Sequence, residues 1–116
     1  MADTSHMSVT PHDHAAIAII KCEKVGAREA QILETELKEA AAKRKWRLVI
    51  DMAEVTMLAS MGLGMLVTMH KECNAQGGKL AICGLKADIH QLLKVTHLDR
   101  VFKVLPDQAA ATKAVS

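Results

Sequence analysis

Ser60 is the residue best placed for chemistry in this sequence of 116 residues. It follows an apolar run, Arg47 to Met52, and a mixed loop, Ala53 to Ala59, and it opens a segment of helical period. A Ser at that position can cap the helix by accepting a bond from a first-turn N–H. It can equally carry a phosphate, which would meet unpaired N–H groups and the positive end of the helix dipole. Spacing alone leaves both open. The neighbouring Gly62-Leu63-Gly64 lacks the third Gly of a dinucleotide loop, and no acid ends the following strand in a suitable place. His12-Asp13-His14 and the pair His70 and Cys73, three apart on a helix, are partial metal sets without matched ligands nearby. A solvated tail and a core-edge His beside a buried thiol are the plainer readings. No Ser/His/Asp or paired-carboxylate arrangement is legible, so the chain is expected to be no enzyme and to use no metal or cofactor.

Composition narrows the classes further. Apolar residues make up 50% of the chain but aromatics only 2%, with one Trp, one Phe and seven Met. A chain of this length can bury one two-layer core without staples. Half-apolar, quarter-charged sequences do not read as disordered, and no window has the ~18 uninterrupted apolar residues of a spanning helix. The aromatic shortage argues against base-stacking platforms. A net charge of +2 is too slight to imply a polyanionic partner. Hence neither nucleic acid nor direct membrane insertion is expected. Cys22, Cys73 and Cys83 form no CxxC pair and no secretory segment precedes the first strand-like run, which suits free buried thiols and a cytoplasmic location. Ser5-His6-Met7 resembles a cloning scar, so residues 1–14 are expected to be a disordered arm, partly a cloning remnant, before a domain at 15–116.

The elements that must position Ser60 follow from period. Ala15 to Ile20, Arg47 to Met52, Lys79 to Cys83 and Phe102 to Leu105 read as strands, the second with an apolar centre suited to cover on both faces. Ala30, Leu33, Leu37 and Ala41 recur at helical spacing between Ala27 and Arg44, supported by Glu34/Lys38 and Glu39/Lys43 at i,i+4. Lys43, Arg44 and Lys45, followed by Trp46 and Arg47, would offset the macrodipole at the end of that helix. Further helices are expected from Ser60 to Ala75, closed by Gln76-Gly77-Gly78, from Lys86 to Val95 and from Asp107 to Val115. Alternating strands and helices imply one α/β domain, a small, mostly parallel mixed sheet of four to five strands with about four helices. On the helix opened by Ser60, Leu63, Leu66, Val67 and His70 share one face. Met61, Met65 and Met69 descend the other, and are expected to be partly exposed as an adaptable contact surface. On that basis Met65→Glu should leave folding intact while weakening partner binding.

The run Val55-Thr56-Met57-Leu58-Ala59-Ser60-Met61-Gly62-Leu63-Gly64 resembles the hallmark of STAS domains, in which a strand ending in Asp leads through such a loop into a helix. The likeness continues through Lys79 to Gly84 and through Ile89, Leu92, Leu93, Val95, Leu98, Val101 and Phe102, covering roughly residues 15 to 112. The resemblance implies a bacterial anti-sigma factor antagonist acting by partner switching. Ser60 would be phosphorylated by an anti-sigma factor serine kinase of the histidine-kinase-like ATPase class and reset by a PP2C-type phosphatase. Glu23, Ala59, Ser60, Met61, Gly62, Gly64, Met65 and Met69 would form the contact surface, and a weak homodimer is a further candidate assembly. Two positions depart from the family pattern. Ala59 stands where an Asp usually precedes the Ser, and Cys22-Glu23-Lys24-Val25 keeps only Glu23 of an acidic turn. The alternative is a STAS module that is never phosphorylated and serves as a transporter subunit or signalling scaffold.

Overall fold

The computed structural model describes residues 2–3, 6–12 and 14–116. Among the described residues, eight strands and four helices follow one another: β1 (Ala2–Asp3), β2 (Met7–His12), β3 (Ala15–Ile20), β4 (Lys24–Val25), α1 (Ala27–Ala42), β5 (Arg47–Asp51), β6 (Met57–Leu58), α2 (Ser60–Ala75), β7 (Lys79–Cys83), α3 (Ala87–Val95), β8 (Lys103–Leu105) and α4 (Gln108–Val115). A 3-10 turn, Leu98–Arg100, lies between α3 and β8.

The main sheet has the order β1-β2-β3-β5-β7-β8, and β4 and β6 form a separate parallel pair. From β3 to β8 all pairings are parallel, with Ile17 opposite Val49 and Val49 opposite Ala81. Five strands of the main sheet have three residues or more, and the two-residue β1 extends one edge. Because side chains alternate across a strand, the central strands feed two cores. Ala18, Leu48, Ile50, Leu80 and Ile82 face α1, α2 and α3. Ile17, Val49, Ala81 and Cys83 face Ala111 and Val115 of α4. The doubly covered β5 expected from its apolar centre is therefore present.

One expectation is overturned at the N-terminus. Residues 7–12, read as part of a disordered arm, form β2, antiparallel to β3 with Met7 opposite Ile20 and His12 opposite Ala15. Met7 is buried in the larger core. A half-polar strand containing Pro11, second from the sheet edge, carries no clear periodicity, yet it shields an otherwise open edge of β3. Met1, Thr4, Ser5 and the Asp13 of the His-Asp-His run lie outside the described residues.

Candidate functional site

Asp51 ends β5 and turns the chain out of the sheet. Its Oδ1 accepts the Ala53 N–H at 2.9 Å and its Oδ2 accepts the Gln108 amide at 2.6 Å. The Met52 N–H donates to the Cys83 carbonyl at 3.0 Å, which keeps the departing chain beside β7. The loop then folds over Glu23, whose carbonyl accepts the N–H groups of Thr56 (2.7 Å) and Met57 (3.0 Å) and the Thr56 hydroxyl (3.1 Å). β6 pairs with β4 in register, and the Ala59 N–H donates to the Val25 carbonyl at 2.9 Å. Backbone bonds thus set the start of α2. The Glu23 carboxylate is exposed beside this bracket.

Ser60 is the first residue of α2 and is exposed, while the cap position is Ala59, in extended conformation and without a side-chain bond. The capping reading of Ser60 is therefore set aside. With no hydroxyl or carboxylate at the cap, the first turn of α2 presents its N–H groups without a side-chain acceptor. A group attached to the Ser60 oxygen would lie at that positive end.

The two glycines that follow do different things. A Cβ on Gly62 would come 2.5 Å from Leu58 Cδ1 and 3.0 Å from the Val25 carbonyl, so Gly lets α2 seat directly on β4 and β6. A Cβ on Gly64 would meet nothing within 4 Å. Gly64 is exposed and leaves a low point between Met61 and Thr68 in a groove of about 430 Å³ between α1 and α2, with Gln31 and Thr35 opposite.

The methionine stripe is corrected. Met61 is 53% exposed and Met57, in β6, 56%, but Met65 is 5% and Met69 0% exposed. The side of α2 expected to face solvent is covered by α1, and Met65 and Met69 join Leu33 and Leu37 in the larger core. Leu63 and Val67, expected on the core face, are half-buried at its margin, and His70 is half-buried, as the core-edge reading has it. Of the expected contact residues, Glu23, Ala59, Ser60, Met61 and Gly64 reach the surface; Gly62, Met65 and Met69 support it from below. Met57 was missed, because a two-residue strand is too short for any period to reveal it.

The other candidates resolve into packing. His70 meets Phe102 edge-on, with ring centroids 5.7 Å apart, and its Nε2 is 3.1 Å from the Asn74 amide. Among the described residues no three His, Cys, Asp or Glu gather as metal ligands. Burial pushes the Cys73 thiol up to about 12, with Glu72 adding to it, and the Cys83 thiol up to about 12, with Asp51 and Asp107 adding. Cys22, half-buried, is raised by burial and by Glu29 and Glu36. All three are neutral thiols near neutral pH. No helix among the described residues is long and apolar enough to cross a membrane.

Comparison with known proteins places this geometry. An anti-sigma F factor antagonist of Paenibacillus polymyxa is 22% identical over 103 residues, 87% of this chain and 86% of that protein. The crystal structure of an anti-sigma factor antagonist from Mycobacterium paratuberculosis matches with a TM-score of 0.82 at 23% identity, over 94% of this chain and 92% of that one. SpoIIAA of Bacillus in its phosphorylated form matches with a TM-score of 0.70 at 8% identity, over 93% of this chain and 98% of that one. The family model for the STAS domain matches residues 22–111, from the Glu23 turn through the Ser60 bracket into α4. By that match, and with the strand, loop and helix around Ser60 built as described, this chain belongs to the STAS domain family.

Proposed function

We propose that this chain is an anti-sigma factor antagonist whose binding to an anti-sigma factor serine kinase is switched by phosphate on Ser60. The observation that carries the reading is exposed Ser60 at a helix start without a side-chain cap, with exposed Met57, Met61 and Gly64 near it in sequence. The names of the Paenibacillus and Mycobacterium relatives support the coarse role, and the phosphorylated form of SpoIIAA shows that a related fold takes such a group.

Unphosphorylated, the face offers two flexible methionines and a backbone laid bare at Gly64, a surface that an apolar partner patch can cover closely. Phosphate adds about −1.5 to −2 charge and three acceptor oxygens at its centre. The helix start favours that charge in the free protein, whereas docking would strip its water against Met57 and Met61. The modification therefore stabilises the unbound state and penalises the bound one. A PP2C-type phosphatase would restore binding. The kinase supplies the catalytic groups, and this chain supplies a hydroxyl on a rigid platform.

One observation favours a second reading. Ala59 removes the carboxylate that usually precedes the Ser, and a module docking through the same face without phosphorylation, in a transporter or signalling scaffold, would not need it. Incubation with ATP and the serine kinase encoded nearest its gene, followed by mass spectrometry, separates the two. The switch predicts one phosphate on Ser60, none on Ser60→Ala, and loss of co-elution with the kinase once modified. No phosphate, or phosphate elsewhere, would leave the scaffold reading standing.

A further inference from the structure

Parallel crossovers force all three helix-to-strand connections to the end of the sheet opposite Ser60. α1 returns to the start of β5, α2 to the start of β7 and α3 to the start of β8, whereas the Ser60 bracket follows the end of β5. These connections carry a sharply uneven share of charge. Residues 43–47, 76–79 and 94–103 hold eight Lys or Arg and one acid, Asp99, although the chain as a whole is only +2.

The macrodipole accounts for only part of this charge, through Lys43 at the C-cap of α1 and Lys94 in the last turn of α3. α1 ends at Ala42, and its last turn contains no basic residue. Lys43 caps it, and Arg44 and Lys45 stand beyond, in a turn locked by bonds from the Arg44 and Trp46 N–H groups to the Ala41 carbonyl. That turn is clamped to the next connection, where the Lys79 N–H donates to the Trp46 carbonyl at 3.0 Å and Gly78 packs against the Trp46 backbone. Arg47 and Lys79 are register partners on adjacent strands, a like-charge arrangement that costs stability. Among the described residues none of these cations has a carboxylate within ion-pair distance; the recorded pair is Lys38 with Glu34. Backbone conformation adds a second cost. Where the α2 connection needs a left-handed residue it uses Gly77, but the α1 connection uses Lys45 and Trp46, at φ 57° and 62°.

The same end also exposes apolar side chains. Val95, at the end of α3, is 66% exposed and Val101, just before β8, is 41% exposed, with Lys94, Arg100 and Lys103 beside them in sequence. Cations interleaved with exposed aliphatic groups fit a surface that is anionic at its plane and apolar just beneath it. A nucleic acid would use the charge but leave both valines unsatisfied.

We propose that this end of the molecule docks on an anionic phospholipid surface, its cations meeting lipid phosphates and Val95 and Val101 entering the headgroup layer. The docked protein would hold Ser60 on the far side, open to solvent and to a protein partner.

Vesicle sedimentation tests this with the intact chain. Vesicles containing about 30% phosphatidylglycerol should bind it at least roughly tenfold more tightly than phosphatidylcholine alone, with most of the binding lost between about 0.05 and 0.5 M salt. Lys43→Glu/Lys45→Glu/Lys79→Glu should lose it. Lys21→Glu/Lys24→Glu/Lys86→Glu, an equal charge change away from these connections, should keep binding within about threefold. Val95→Asp should weaken binding, and matched circular dichroism spectra show that each variant is folded. Equal binding to both vesicle types, equal loss in both triple variants, or binding to duplex DNA or polyglutamate without binding to vesicles would overturn the proposal.

Discussion

The Asp51 carboxylate joins the Ser60 loop to α4 on the opposite face of the sheet: one oxygen holds the Ala53 N–H at 2.9 Å and the other the Gln108 amide at 2.6 Å. A bond to an ionised acceptor contributes about 1.5–3 kcal/mol where it is shielded. Asp51 is only half-buried, so Gln108→Ala is expected to cost about 1 kcal/mol. Asp51→Ala removes both bonds and should cost more. Urea denaturation with an unchanged slope would read both. Hydrogen exchange at residues 53–59 should rise in Asp51→Ala and much less in Gln108→Ala.

Gly62 and Gly64 should respond oppositely to the same methyl group. Gly62→Ala forces its Cβ against Leu58 and the Val25 carbonyl, an overpacking expected to cost about 1–3 kcal/mol. Gly64→Ala enters open space on an exposed helix surface and should stabilise by about 0.5–1 kcal/mol. If the partner covers the low point at Gly64, the more stable variant will bind it more weakly. Thermal melts and titration calorimetry on the two variants check both halves.

Periodicity revealed the helices and the doubly covered β5 because Leu33 and Leu37 repeat along one helix face and Leu48, Val49 and Ile50 supply both cores. It failed on α2 for a physical reason. That helix is covered by the sheet on one side and by α1 on another, so its buried arc extends to Met65 and Met69, and a single-stripe reading assigned them to solvent. It failed on β2 because a strand covered on its outer side only by the two-residue β1 needs few apolar residues, and Met7 stood within what looked like a cloning scar. Ser60 was legible as a site, but the cap beside it was not: Ala59 offers the backbone geometry of a cap without its chemistry.

The burial of Met65 and Met69 reverses the expectation drawn from the sequence. Met65→Glu places a charge in the core and should unfold the protein or nearly so, and Met69→Ala should cost about 2–5 kcal/mol through its cavity. Met61→Glu, on the exposed rim, should change stability by less than about 0.5 kcal/mol while weakening partner binding. Denaturation midpoints paired with partner titrations distinguish core from contact surface residue by residue.

Thiol titration should track burial. Cys22 is expected to react first with a disulfide reagent near pH 8, while Cys73 and Cys83 stay protected until the protein opens. Both buried thiols are raised from an ordinary value of 9.0 to about 12, so the folded state keeps protons that the unfolded chain releases. Their contribution to stability is fully present below pH 9.0 and is lost as pH climbs toward about 12. Cys73→Ala or Cys83→Ala should flatten that alkaline decline, read as the denaturation midpoint against pH.

A carboxylate at Ser60 should separate folding from recognition. At the first position of α2, Ser60→Asp meets a helix start whose cap, Ala59, supplies no acceptor, so it should stabilise the free protein by about 0.3–1 kcal/mol at low salt. The same charge between Met57 and Met61 must lose water when a partner covers them, so affinity should fall by at least about tenfold. Salt sharpens the distinction: added salt should erase the stability gain through screening but restore little of the binding, because the loss there comes from desolvation. A variant that is more stable and still binds as tightly as Ser60 would mean that the partner surface lies elsewhere on the molecule.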